Sequence, residues 1–186
     1  MKKLSLTLLT CLIFLSPSMV MGETFRDLVE REGLYYKKFT DVPFNGKVTG
    51  KEQGSFKNGK REGIFVYYRD SGQIVWKGNY KNGKAEGTWV SYHKNGQLQI
   101  KRNRKKGKLE GAWVSYHKNG QLHKKGNYKN DKYEGAFVRY WNNGQLRSKG
   151  NWKNNEKEGA YVSYNKDGTV WKTFAGTFKD GMKISD

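Results

Sequence analysis

From residue 54 onward the apolar positions fall in short alternating runs that come back every 24 residues: GSFKNGKREGIFVYYRDSGQIVWK, GNYKNGKAEGTWVSYHKNGQLQIK, RNRKKGKLEGAWVSYHKNGQLHKK, GNYKNDKYEGAFVRYWNNGQLRSK and GNWKNNEKEGAYVSYNKDGTVWKT. The stretch WVSYHKNGQL stands unchanged at 89–98 and 113–122. Self-similarity at a fixed period of this size marks a repeat architecture. Within each unit the apolar residues alternate with period two, the strand period. Two turn signals break up every unit. One is Asn58-Gly59, Asn82-Gly83, Lys106-Gly107, Asn130-Asp131 and Asn154-Asn155; the other is Ser71-Gly72, Asn95-Gly96, Asn119-Gly120, Asn143-Gly144 and Asp167-Gly168. Asn-Gly between alternating segments predicts a type I′ hairpin turn, with positive φ at both central residues. Each gap holds one strand of about eight residues. The pattern therefore predicts an all-β, elongated antiparallel meander of stacked hairpins, two strands per repeat.

The register follows from the turns. About Asn95-Gly96, Lys94 is expected opposite Gln97, His93 opposite Leu98, Ser91 opposite Ile100 and Trp89 opposite Arg102. In the fourth unit Phe137 falls opposite Gly150, and Tyr128 in register with Gly135 of the next strand. A ring lying over a cross-strand glycine covers backbone and pins register. One face should carry Phe65, Trp89, Trp113, Phe137 and Tyr161 with Ile74, Leu98, Leu122, Leu146 and Val170. The other should carry Val66, Val90, Val114, Val138 and Val162 beside Tyr68, Tyr92, Tyr116, Tyr140 and Tyr164. Because 24 is even, every unit keeps its side chains on the same face. The last hairpin, 26 residues from Gly150 to Gly176, stays in phase.

The ends read differently. Residues 1–22 have the form of a signal peptide: Lys2 and Lys3, an apolar run from Leu4 to Leu15, then Ser16-Pro17-Ser18, with cleavage expected after Gly22. The apolar run falls short of the roughly 20 residues of a membrane span. Residues 23–33 are expected to form a short N-terminal capping helix, Thr24 to Glu32, with Phe25, Leu28 and Val29 on one side, Thr24 as N-cap and Gly33 as stop. Residues 34–53 then form a degenerate first repeat, 54–173 five hairpin repeats, and 174–186 a terminal half-repeat.

The pattern in GNYKNGKAEGTWVSYHKNGQL resembles the MORN-type repeat, in particular the variant of bacterial YwqK-antitoxin-like proteins. The resemblance covers roughly residues 33–186. It implies stacked β-hairpins in a long twisted sheet acting as an interaction module, on partner proteins or near membranes. The antitoxin variant implies neutralising a toxin by binding it.

Charge then narrows the partners. The chain carries 36 Lys and Arg against 17 Asp and Glu, a formal charge of +19, which favours anionic surfaces. For an exported protein, periplasmic, surface-bound or secreted, these are acidic proteins and anionic envelope components, with nucleic acid ranked below them. No transmembrane span is expected once the signal is removed. The one cysteine, Cys11, lies in the signal, so the remainder has no disulfide. His93 and His117 occupy one repeat position two strands apart, about 10 Å, too far to share a metal, and no zinc-type ligand set exists. The recurrent Glu62, Glu86, Glu110, Glu134 and Glu158 read as a surface ladder of ion pairs, with Glu86 opposite Lys105, rather than as a glycosidase pair. Neither enzyme chemistry nor a cofactor is expected. The third unit breaks the pattern: Lys101, Arg102, Arg104, Lys105, Lys106 and Lys108 put six cations into eight residues. Arg102 replaces the usual glycine and Arg104 the usual aromatic, and Trp89 and Trp113 should flank them with guanidinium groups stacked on indoles. Candidate binding residues are therefore Trp89, Tyr92, Arg102, Arg104, Lys105, Lys106, Trp113, Tyr116 and Tyr140. A solubilising charge run is the plain alternative. Two other roles remain open at this stage: wall-glycan binding on cages of Trp89, Tyr92, Trp113 and Tyr116, and toxin neutralisation.

Overall fold

The structure is a computed structural model and describes residues 22–186. The signal segment expected at the N-terminus lies, but for Gly22, outside the described residues. None of the helices among the described residues is long and apolar enough to cross a membrane.

Local backbone chemistry builds the repeat. At Asn58-Gly59 and Asn82-Gly83 both residues take positive φ, 50° and 72° in the first, 50° and 76° in the second. Lys106-Gly107, Asn130-Asp131 and Asn154-Asn155 do the same with poorer residues for the job. These are the twisted turns the sequence predicts. The second series differs. At Asn95-Gly96 only the glycine is left-handed, at 83°. The Gly96 N–H donates to the His93 carbonyl at 3.0 Å, and the His93 N–H to the Gln97 carbonyl at 2.8 Å. That is a longer loop ending in a bulge, and it displaces the register by one residue: Trp89 pairs with Arg102 and Ser91 with Ile100 as expected, but Tyr92 pairs with Leu98. Tyr68, Tyr116 and Tyr140 likewise pair with Ile74, Leu122 and Leu146, and Tyr164 bridges Val170. Paired residues share a face, so the leucine row joins the valine and tyrosine side, not the tryptophan side.

A second irregularity follows each Asn-Gly turn. Asn79 pairs with Glu86, yet Lys77 pairs with Val90, a slip of two residues at Gly87, which sits at φ 70°. The same slip places Tyr128 against Tyr133 rather than Gly135. Phe137 stands opposite Gly150 as expected, but the ring over Gly150 is Tyr161, its partner on the other side, while Phe137 lies over Gly126.

Fifteen strands make one long sheet whose neighbours follow chain order from Gly46–Thr49 to Met182–Ser185. The strand Glu23–Thr24 joins one edge in parallel. The expected capping helix is absent: the described residues contain no α-helix, only single 3-10 turns at Phe25–Asp27 and Lys172–Phe174. Leu28–Arg31 instead pairs with Leu34–Lys37 across a turn at Glu32-Gly33, φ 50° and 75°. A nine-residue segment is too short to hold a helix by its own propensity, and the extended form lets it bury more. Leu28 clusters with Val48, Phe56 and Phe65, with Phe25 and Tyr35 packed against them. Gly33, read as a helix stop, is a turn residue. Thr24 serves the short turn, its N–H and Oγ–H both donating to the Asp27 carboxylate at 2.8 and 2.7 Å.

The core is a spine of rings on one face of the sheet. Phe56, Phe65, Trp89, Trp113, Phe137 and Phe178 are buried. Phe65 meets Tyr80 at 5.1 Å, and Tyr80 meets Trp89 at 5.0 Å. Further on, Trp113 meets Tyr128, Tyr133 meets Phe137, and Phe137 meets Trp152. The edge-on pairs among these, Phe65–Tyr80, Tyr80–Trp89, Tyr133–Phe137 and Phe137–Trp152, contribute about 0.5–1.5 kcal/mol each beyond buried area.

Polar side chains tie each repeat to the next. The recurrent glutamates accept turn N–H groups one repeat on: Glu62 from Asn82 at 2.7 Å, Glu86 from Lys106 at 2.8 Å, Glu110 from Asn130 at 2.9 Å. This corrects the ion-pair ladder, since none of them forms a salt bridge. A second set runs from position 69 and its equivalents to the tyrosine carbonyl of the next unit: Arg69 to Tyr92, His93 to Tyr116, His117 to Tyr140 and Trp141 to Tyr164. A carbonyl accepts, so His93 and His117 carry the proton on Nε2.

Candidate functional site

The ring spine has one gap. Between Trp89 and Trp113 runs the strand Leu98–Lys105, and there Arg102 pairs with Trp89 on one side and Trp113 on the other. Arg104 pairs with Gly87 and Leu109. Both guanidinium groups are half-buried, and neither has an acidic partner among the described residues. The Arg104 Nη1 donates to the Gly107 carbonyl at 2.6 Å. Burial, and after it Arg104, pushes the Arg102 guanidinium below its ordinary range. Neither arginine stacks on an indole: the cations over rings are Arg31, Arg61, Arg139, Arg147, Lys157 and Lys166. The two arginines thus interrupt an apolar spine with unpaired positive charge.

The other predicted residues divide by location. Trp89 and Trp113 flank the gap, each buried, and the indole N–H of each lacks a protein partner. Lys105 and Lys106 sit at the turn beside it, exposed; with Lys60, Lys81, Lys84 and Glu86, Lys106 lines an open groove of about 730 Å³. Tyr92, Tyr116 and Tyr140 lie beyond the bulge, opposite leucines. They do not form cages with the tryptophans, because they stand on the valine side of the sheet, as the alternation along each strand requires.

Two features escaped the sequence. On the valine face Lys77, Lys101, Lys125 and Lys149 each stand between two valines, all exposed; their 24-residue spacing was there to be read. On the tryptophan face, two residues along from the rings, a row runs Ser115, Lys124, Arg139, Ser148 and Ser163 across five strands. Its signal was Arg139 at a position that is serine in the units before and after it. A cavity of about 470 Å³ opens beside this row, lined by Arg102, Trp113, Ser115, His123, Lys124 and Tyr128 among others. Burial, with a hydrogen bond to Tyr133, pushes the Tyr128 hydroxyl up. No group of three or more His, Cys, Asp or Glu able to hold a metal occurs among the described residues.

Comparison with known proteins agrees with the repeat and goes little further. No curated protein matches the sequence. Among solved structures, a chain of the "crystal structure of GtfA/B complex bound to UDP and GlcNAc" is 14% identical, over 78% of this chain and 28% of that one, with a TM-score of 0.20; no function follows from a likeness of that size. The MORN repeat variant family matches residues 61–82, 85–106, 109–130 and 133–154, each match starting in the strand before the EG bulge and ending in the next left-handed turn. Residues 61–154 are a domain of MORN repeats of the variant type.

Proposed function

We propose that this chain is a non-enzymatic binding module that is exported and engages an acidic protein or an anionic envelope component through the ring-bearing face, with Arg102 and Arg104 at its centre. The observation that carries the reading is the gap in the spine: a repeat that elsewhere places glycine and an aromatic ring there holds two half-buried cations without a counter-charge. Leaving charge half-desolvated and unpaired costs stability, and an anionic partner would recover that cost on binding. Trp89 and Trp113 wall the gap on either side, each packed into the ring spine. Lys105, Lys106 and the surrounding lysines supply the long-range field that speeds encounter and makes it salt-dependent.

The test is a salt titration of binding to envelope fractions from cells that produce the protein. Arg102→Gln with Arg104→Gln, checked for an unchanged strand spectrum by circular dichroism, should weaken binding about tenfold and flatten its salt dependence. Equal retention of the double variant across the titration would refute the site.

A further inference from the structure

On the tryptophan face, Lys124 and Arg139 are direct cross-strand partners. Like charges in that position repel, and both side chains are half-buried. No acidic group pairs with either among the described residues. The neighbours at the two ends of the pair are Ser115, partner of Lys124, and Ser148, partner of Arg139. These serines are 7% and 3% exposed. Their hydroxyls, and the Arg139 Nε, are buried without a protein hydrogen-bond partner. Four adjacent groups on four strands therefore offer donors and positive charge, and nothing among the described residues accepts from them.

We infer that Lys124 and Arg139, with the Ser115 hydroxyl beside Lys124, form a binding site for the phosphate of a phosphate ester. Two fixed cations match the two negative charges of a phosphate monoester better than the single charge of a carboxylate. The Ser115 hydroxyl, on the strand beside Lys124 and on the wall of the cavity, donates to a further oxygen, and a bound dianion turns the repulsion between Lys124 and Arg139 into a bridge; Ser148 stands three strands, about 14 Å, from Ser115 and takes no part. The adjoining cavity, walled by Trp113 and Tyr128, receives the organic part of the ester. His123 lies on the same cavity, its ring 4.2 Å from that of His117. Burial, then His117, Lys124, Arg139 and Arg147, holds its pKa down to about 4. Burial followed by Arg139 and Arg147 pushes Lys124 down. In both, the neighbouring cations add to the effect of burial. The site deepens the reading of this face as one that takes anions, on residues other than Arg102 and Arg104, so each can fail while the other stands.

The experiment is calorimetric titration of the protein at low salt with inorganic phosphate, then with glucose 1-phosphate and glycerol 3-phosphate, and with acetate for comparison. Saturable phosphate binding is expected, weaker for acetate. Tighter binding of either ester supports the site and tells a sugar phosphate from a glycerol phosphate. Lys124→Gln and Arg139→Ser should each lower phosphate affinity about tenfold, and Arg139→Ser restores the residue of the neighbouring units, so it should fold at least as well. Lys101→Gln with Lys125→Gln, on the valine face, should leave the affinity within about twofold. Phosphate binding that survives both row variants, or that is lost equally in the valine-face variant, would overturn the site; phosphate binding with exclusion of both esters would overturn the ester assignment.

Discussion

The packing of rings over glycines sets a number that can be measured. In Gly78→Ala the new methyl carbon would lie 2.5 Å from Trp89 Cε3 and nearer still to Cδ2 and Cε2, against about 3.5–4.0 Å for ordinary carbon contact. The backbone cannot yield easily, since Gly78 pairs with Phe65 on its other side. The Trp89 ring must leave its seat. It is held there between Trp76, at 5.4 Å and stacked, and Tyr80, at 5.0 Å and edge-on. Overpacking costs about 1–3 kcal/mol, and weakening two ring pairs adds about 0.5–1.5 kcal/mol each. Alanine recovers about 0.4–1 kcal/mol by restricting the unfolded chain. The expected loss is about 2–4 kcal/mol in urea unfolding followed by tryptophan fluorescence. At Gly126 the nearest ring atom would be 3.1 Å away, Phe137 Cδ2, so Gly126→Ala should cost distinctly less. In a Trp89→Ala background the Gly78→Ala penalty should shrink by more than about 1 kcal/mol. A Gly78→Ala protein within about 0.5 kcal/mol of the parent, or less affected than Gly126→Ala, would refute the idea that these glycines exist to seat rings.

Three further outcomes follow from other parts of the repeat. Glu110→Ala removes the acceptor of the Asn130 N–H and should cost about 0.5–1.5 kcal/mol, with faster amide exchange at the 130–131 turn. Lys106 holds φ at 52°, which asparagine tolerates better, so Lys106→Asn should raise the urea midpoint by the equivalent of about 0.5–1 kcal/mol while weakening anion binding. His123 has a folded pKa of about 4, below its unfolded value of 6.5; between those values the unfolded chain binds a proton that the folded one does not, so stability falls as pH drops through that window. His123→Gln should lose less stability than the parent between pH 7 and pH 5, and an identical loss would contradict the burial of a neutral ring.

What the sequence revealed and what it hid have the same cause. The 24-residue period, the packing of rings over cross-strand glycines and the left-handed Asn-Gly pairs were legible because each depends on local residue chemistry repeated in phase; which glycine each ring covers was not, since Trp89 lies over Gly78, Phe137 over Gly126 and Tyr161 over Gly150. The side of the sheet taken by Leu98, Leu122 and Leu146 was not, because Asn95-Gly96 and Asn82-Gly83 spell the same dipeptide yet close loops of different length. The two-residue slip at Gly87 and its equivalents left no mark in the alternation for a related reason: an even slip preserves the faces. The supposed helix at Thr24 to Glu32 failed because its apolar spacing suits a short strand folded back on Leu34–Lys37 equally well, and burial against Phe56 decided between them. Arg102 and Arg104 stood out as departures from a row of glycines and rings. Lys124 and Arg139 did not, since only the register makes them neighbours.

The account rests on the tryptophan face being the one that recognises a partner. A photo-cross-linking residue placed at Arg104, and in a second protein at Lys125 on the valine face, tests this in cells that make the protein. Capture of an acidic protein or a phosphate-bearing envelope component from position 104 and not from 125 is the result expected. Capture from 125 alone, or equally from both, would contradict it.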